Sequence, residues 1–169
     1  QFRSQTDSEV IAHFFEEELK TKDMKEAAGA FFKIASGEFS VLLAIKGDEK
    51  IYAFKRGSPL VLGLADGMNI LASDIYAFSD KTNKAIFFNE DEFAIVSPDS
   101  YELYKYIDGS LMPQTREITT FEWQESEEKH EYEHYMLKEI MEEPIAVGRL
   151  LRSLEYEQKE KLSELKRMI

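Results

Sequence analysis

A chain of 169 residues with 43% hydrophobic side chains is long enough for one domain with a core of its own. Its 33 acidic residues against 21 basic ones give a formal net charge of −12. That speaks against a nucleic-acid or anionic-membrane partner, since neither gains from meeting an acidic surface. There is no cysteine, hence no disulfide and no thiol nucleophile within these residues. Neither a leader peptide nor a spanning apolar run is legible, so a cytoplasmic enzyme or module is the expectation.

Phe2–Gln5 reads as the end of a strand, and Thr6-Asp7-Ser8-Glu9 as a capping box. Thr6 can accept from the backbone N–H of Glu9, and Glu9 can reach back to the N–H of Thr6. The helix this opens is expected to reach Lys20, with Val10, Ile11, Phe14, Phe15 and Leu19 as its inward stripe. After Thr21-Lys22, Asp23 caps a second helix, with Glu26 three residues on. Met24, Ala27, Ala28, Phe31, Phe32 and Ala35 recur at helical spacing, and Ser36-Gly37 ends the run.

From Glu38 the period changes to two. Phe39, Val41, Leu43 and Ile45 alternate with Ser40, Leu42 and Ala44, which predicts a strand buried on both sides. Gly47-Asp48 turns it and Ile51–Lys55 returns. Gly57-Ser58-Pro59 then leads into a hairpin of two apolar runs, Leu60–Leu64 and Met68–Ala72, around Ala65-Asp66-Gly67. The Asp-Gly pair is a strong turn signal, and the near-continuous apolar runs predict that both faces are covered. Ser73-Asp74 starts a short turn carrying Ile75, Ala77 and Phe78. Lys84–Phe88 and Phe93–Ser97 read as strands around the acidic turn Asn89–Glu92, and Tyr101–Ile107 and Ser110–Met112 as a hairpin across Asp108-Gly109. Gln114 to Lys129 is polar and reads as a loop. A last helical region starts near Glu131, is expected to break at Pro144, and continues from Ala146 to Ile169 with Val147, Leu150, Leu151 and Leu154 as its stripe. Helices, then short strands, then a helix is an α+β pattern built on antiparallel sheets.

Three segments carry a family resemblance. R-G-S-P-L-V-L-G-L followed by A-S-D (Arg56 to Asp74), T-D-S-E-V-I-A-H (Thr6–His13) and H-Y-M-L-K-E-I-M-E-E-P (His134–Pro144) stand in the order found in one family. The chain resembles the glutaminase domain of the glutamine–fructose-6-phosphate aminotransferases, class II glutamine amidotransferases of the N-terminal-nucleophile hydrolase type. The resemblance implies an αββα four-layer sandwich, incomplete at the N-terminus. Residues 1–143 would be the later two-thirds of the glutaminase domain, and 144–169 a helical connector toward a sugar-isomerase domain in cis. It implies an enzyme that makes glucosamine 6-phosphate and glutamate from fructose 6-phosphate and glutamine, with no cofactor and no metal. The family's N-terminal Cys nucleophile, its Arg-Trp-x-Thr-His segment and its Asn-Gly oxyanion element are not in these residues, so the chain by itself is expected to be inactive. Open sheet edges then predict self-association into a homo-oligomer. A class II amidotransferase of the phosphoribosylpyrophosphate type, or a non-catalytic interaction module on the same scaffold, would share the pattern.

Asp7 is the leading site candidate. As a residue type in a first helical turn it can simply favour the positive dipole end. By the resemblance, it matches the Asp of T-D-S/T-E that binds the α-amino group of substrate glutamine, a charge-assisted pairing. His13 reads as a helix-face histidine. His130 and His134, four apart, have a metal-capable spacing, but H-E-x-x-H is absent and a solvated helix face is the simpler account. Lys138 and Glu139 read as interdomain contacts, and Ser58 is no hydrolase elbow, because G-x-S-x-G is absent.

Overall fold

The structure is a computed structural model that describes residues 2–122, 132–158 and 163. These fall into two units, Gln1–Trp123 and Gln124–Ile169.

The first unit is an α+β sandwich of two antiparallel sheets. Helices α1 (Glu9–Glu18) and α2 (Met24–Ile34) come first, then strands β1 (Phe39–Ala44), β2 (Ile51–Arg56), β3 (Val61–Ala65) and β4 (Met68–Ala72). A 3-10 turn at Ile75–Phe78 precedes β5 (Lys84–Phe87), β6 (Glu92–Val96), β7 (Tyr101–Ile107), β8 (Ser110–Gln114) and the short β9 (Thr119–Thr120). One sheet has the order β1-β2-β6-β7-β8 and the other β4-β3-β5-β9.

Side-chain alternation assigns each face. On one face of the first sheet, Tyr52, Phe54, Phe93, Ile95 and Tyr104 meet Phe15, Ala27, Ala28, Phe31 and Phe32 of the two helices. Phe54 sits within 5.4 Å of the Phe15, Phe31 and Phe93 ring centroids, edge and tilted contacts that aromatic pairs favour. On the other face Ala53, Ala94, Val96 and Leu103 meet Leu60, Leu62, Ile86 and Phe88 around the second sheet. The far side of that second sheet, Val61 and Ala85, is covered by Phe78 of the 3-10 turn. Gly63 makes this possible: a Cβ there would stand 2.8 Å from the Phe78 ring, so β3 is bare where the ring lies.

The two-residue link Asp66-Gly67 closes the β3–β4 hairpin with Ala65 opposite Met68, and Asp108-Gly109 closes β7–β8 with Ile107 opposite Ser110. Asp23 caps α2 as its sequence predicts: its carboxylate accepts from Glu26 N at 2.9 Å, and Glu26 accepts from Asp23 N at 3.0 Å. Asp74 caps the 3-10 turn in the same manner, accepting from Tyr76 N at 2.9 Å.

Several expectations are corrected. Phe2–Gln5 is not a strand. The Thr6–Glu9 box does not form: Ser8 is the residue before α1, no side chain caps it, and Glu9 turns instead to Arg3 and Ser4. Val10 is exposed rather than inward. β1 is not buried on both sides, because the second sheet does not extend over this outermost strand, and Leu42 is 49% exposed. β4 is likewise an outermost strand with only part-buried residues beyond an exposed Met68, whereas β3 is covered on both faces. The two strands expected around the acidic turn Asn89–Glu92 do form, as β5 and β6, and the turn carries the chain from one sheet to the other. The polar stretch after Gln114 contributes β9, which pairs with β5.

In the second unit, α3 (Tyr135–Arg152) is followed by a π-helical turn at Ser153–Glu157. The expected break at Pro144 does not occur; Pro144 stands inside α3. α3 begins at Tyr135, with 132–134 not helical, so the start expected near Glu131 is corrected; of the helix expected beyond Gln158 only residue 163 is among the described residues.

Candidate functional site

The start of α1, the end of α2 and the beginning of β1 enclose a cleft of about 610 Å³. Its floor is apolar, with Ile11, Phe14, Phe31 and Val41, because here the helix–sheet core reaches the surface. Its rim is polar: Asp7 and Ser8 on one side, Ser36, Glu38, Ser40 and Ser58 on the other. An apolar floor with a few polar groups at the rim is the usual make-up of a small-molecule site.

Asp7 is exposed at the mouth of this cleft. Its backbone carbonyl accepts Val10 N at 3.1 Å, which fixes its main chain in the lead-in to α1. Among the described residues its carboxylate has no hydrogen-bond or ion-pair partner. The lead-in itself is held by Glu9, whose carboxylate accepts from Arg3 N and Ser4 N, each at 2.6 Å, and from the Ser4 hydroxyl. The Ser4 hydroxyl first, then the Arg3 and Ser4 amides and His13, hold the Glu9 carboxyl down at about 2.

The opposite rim is organised from β2. The Arg56 guanidinium donates from Nε to Asp91, from Nη1 to Ala35 O at 2.6 Å and from Nη2 to Phe32 O at 3.3 Å. The two carbonyls belong to the last turn of α2, where acceptors lack intrahelical partners and a cation is favoured. Next in sequence, Gly57 N donates to Glu90 at 2.6 Å, and Lys55 also donates to Glu90. Gly57 has φ +72°, and a Cβ on it would fall 2.3 Å from the Glu38 side chain, so no other residue fits without displacing the rim. Ser58 N donates to Arg56 O at 2.9 Å, which sets Ser58 at the cleft. The acidic turn is pinned in its turn by Glu92, fully buried, which accepts from Arg116 and, at 2.6 Å, from Asn89 N.

Thus the structure brings Asp7 and Ser58 to one cleft and leaves the other candidates apart from it. His13 lies between Glu9 and Glu16, with 3.3 Å contacts to each, and its ring meets Phe2 edge-on: a helix-face histidine. His134 stands just before α3, its Nε2 4.0 Å from Glu133, while His130 lies outside the described residues. Lys138 is buried and Glu139 exposed, both on α3. Among the described residues no group of three or more His, Asp or Glu side chains could hold a metal ion, and no helix is long and apolar enough to cross a membrane. Sequence reasoning missed Arg56, Glu90, Asp91 and the Arg116–Glu92 pair. Their signal was the juxtaposition of a basic pair, Lys55-Arg56, with an acidic turn some 35 residues on.

No family model matches the chain. It is 40% identical over 149 residues to the glutamine–fructose-6-phosphate aminotransferase (isomerizing) of Thermococcus kodakarensis, covering 86% of this chain and 24% of that protein. The same enzyme of Pyrococcus horikoshii is 39% identical over 149 residues, covering 86% of this chain and 25% of that protein. That of Methanosarcina acetivorans is 40% identical over 160 residues, covering 89% and 25%. The chain is a relative of these aminotransferases. It spans about a quarter of the length of the aminotransferases it matches. The resemblance seen in the three sequence segments is therefore borne out over most of the chain.

Proposed function

We propose that this chain is part of the glutaminase portion of a glutamine–fructose-6-phosphate aminotransferase, and that Asp7 receives the α-ammonium of substrate glutamine. The observation that carries the reading is the Asp7 carboxylate itself. It belongs to the T-D-S-E-V-I-A-H segment, it stands at the mouth of a cleft of about 610 Å³, and it has no partner among the described residues. An ammonium is the natural complement to such a carboxylate, and the polar rim of serines suits the amino-acid end of a small polar substrate.

On this reading the two-sheet sandwich belongs to the four-layer αββα arrangement of N-terminal-nucleophile hydrolases. Residues 1–143 serve the glutaminase and 144–169 lead toward the sugar-isomerase part. A thiolate attacks the glutamine amide carbon, the thioester forms as ammonia leaves, and water releases glutamate. These residues contain no cysteine, so the thiolate has to come from outside them, and the 169 residues alone hold substrate without turning it over. Ammonia then converts fructose 6-phosphate to glucosamine 6-phosphate on the isomerase side. Such a protein works in the cytoplasm.

The test is made on the full-length protein that carries this chain. Asp7→Asn keeps the shape and removes the charge that faces the ammonium. KM for glutamine should rise roughly a hundred-fold, the order expected for a lost charge-assisted contact. A glutamine KM equal to that of the unaltered protein would remove Asp7 from the site.

A further inference from the structure

We propose that Arg56 is a positioning residue that sets the cleft wall facing Asp7, and through that wall the affinity for glutamine; the inference rests on the glutamine-binding reading of the cleft. The wall is the link from the end of α2 into β1. At Ala35 the backbone leaves the helix for an extended conformation, φ −67° and ψ 133°, and Ser36, Glu38, Phe39 and Ser40 then line the cleft. Nothing in this short link forms regular structure by itself, so its course depends on what grips its ends.

One side chain grips both. At the helix end, Arg56 donates to Ala35 O at 2.6 Å and Phe32 O at 3.3 Å. At the strand end its guanidinium lies over the Phe39 ring at 5.4 Å, and it lies over Phe32 at 5.5 Å as well, both within cation–π range. Its remaining Nε is held by Asp91, whose backbone carbonyl in turn accepts Tyr106 N at 2.8 Å. The planar guanidinium fork is what makes three simultaneous directions possible; a lysine ammonium offers a point charge and no fixed plane. Arg56 O, accepting Ser58 N at 2.9 Å, carries the same control to the last rim residue.

Arg56 is not among the residues that line the cleft. Its influence therefore runs through the wall, and it falls on how the amino-acid end is held rather than on the amide that reacts. That gives a signature a purely structural residue lacks: glutamine KM moves while kcat stays near its starting value, whatever stability the lost contacts cost.

The experiment compares Arg56→Met, Asp91→Asn, Arg56→Lys and Asp7→Asn in the full-length protein, by steady-state glutaminase kinetics and thermal melting. Arg56→Met is expected to raise glutamine KM roughly ten-fold with kcat within about two-fold. A folded Arg56→Met protein with unchanged KM overturns the inference. So does a joint fall in kcat and melting temperature at constant KM, which marks a structural role alone. Should Arg56→Met fail to fold, the gentler Asp91→Asn and Arg56→Lys decide: a several-fold rise in KM supports the inference, and unchanged KM in both overturns it. Asp7→Asn separates the two levels. If it leaves KM unmoved, the glutamine reading falls and this inference with it; if it raises KM while Arg56→Met does not, the inference alone falls.

Discussion

One wall of the Asp7 cleft, the lead-in to α1, hangs on the Glu9 carboxylate, which grips the backbone amides of Arg3 and Ser4. The other, the link from α2 to β1, hangs on a guanidinium that joins a helix end, two aromatic rings and the turn between the sheets. Residues 2 to 8 are exposed throughout, whereas Phe32 is buried and Phe39 packs against the core. Exposed hydrogen bonds contribute little to global stability and open locally, while groups tied into a core open with it. The cleft therefore pairs a wall held among exposed residues with a wall whose two ends are tied to the core, while Ser36, Glu38 and Ser40 between or beside those ends are exposed. The candidate ligand group, Asp7, sits on the first of these.

The strongest way to break this contrast is to undo the anchor beneath the core-tied wall. Glu92 is fully buried, and Arg116 is its ion-pair partner. Arg116 also donates to Phe87 O at 2.9 Å, so one side chain ties β5 to the turn that leads into β6. Arg116→Met leaves a buried carboxylate without its cation, a change that costs about 3 kcal/mol or more. Urea unfolding of the chain should show the loss as a lower midpoint at unchanged slope. A loss below about 0.5 kcal/mol, the size of an ordinary surface change, would mean that Glu92 does not depend on Arg116 and that the turn is anchored elsewhere.

A smaller, paired substitution sharpens the contrast at the two helix starts. Asp23→Ala removes a working cap from α2 and should cost about 1 kcal/mol. Thr6→Ala, at the start of α1, should stay within about 0.5 kcal/mol, because the Thr6 side chain caps no helix amide and its hydroxyl meets the exposed Ser4 hydroxyl at 2.8 Å. If the two cost the same, the box read at Thr6–Glu9 forms in solution after all.

That pair also shows where the sequence was legible. Both helix starts carry the same local signature, and the side-chain spacing is right in each. At α2, among the described residues, no other donor reaches the Glu26 carboxylate, which accepts from Asp23 N. At α1 the upstream amides of Arg3 and Ser4 compete for Glu9 and win, a contact no three-residue rule includes. The same limit explains the sheets. The Asp66-Gly67 and Asp108-Gly109 hairpins were legible because a tight turn fixes its own register. That β5 and β6 part company across Asn89–Glu92 was not, since it depends on Lys55, Arg56 and Arg116 at long range. β1 was misjudged because apolar residues on both faces state a preference, not whether a second layer extends over them. Asp7 stood out through a family motif; its cleft mate Ser58 and the Arg56 clamp needed the fold.

The subtlest test lies in the exposed lead-in wall and its response to acid. Glu9 is held at about 2 against an ordinary 4.5, because the Ser4 hydroxyl, the Arg3 and Ser4 amides and His13 all favour its ionised form. A carboxyl whose pKa is lower in the folded state contributes stability above its unfolded value and loses it as pH falls through the folded one. The lead-in should thus be fully held above about pH 4.5 and released progressively toward pH 2. Carboxyl-detected NMR titration should find the Glu9 midpoint near 2, with the Arg3 and Ser4 amide shifts following the same curve. Ser4→Ala removes the largest contributor and should move that midpoint upward. A Glu9 midpoint at the ordinary 4.5 would mean the clamp is not populated, and the wall that carries Asp7 would then owe its position to the α1 backbone alone.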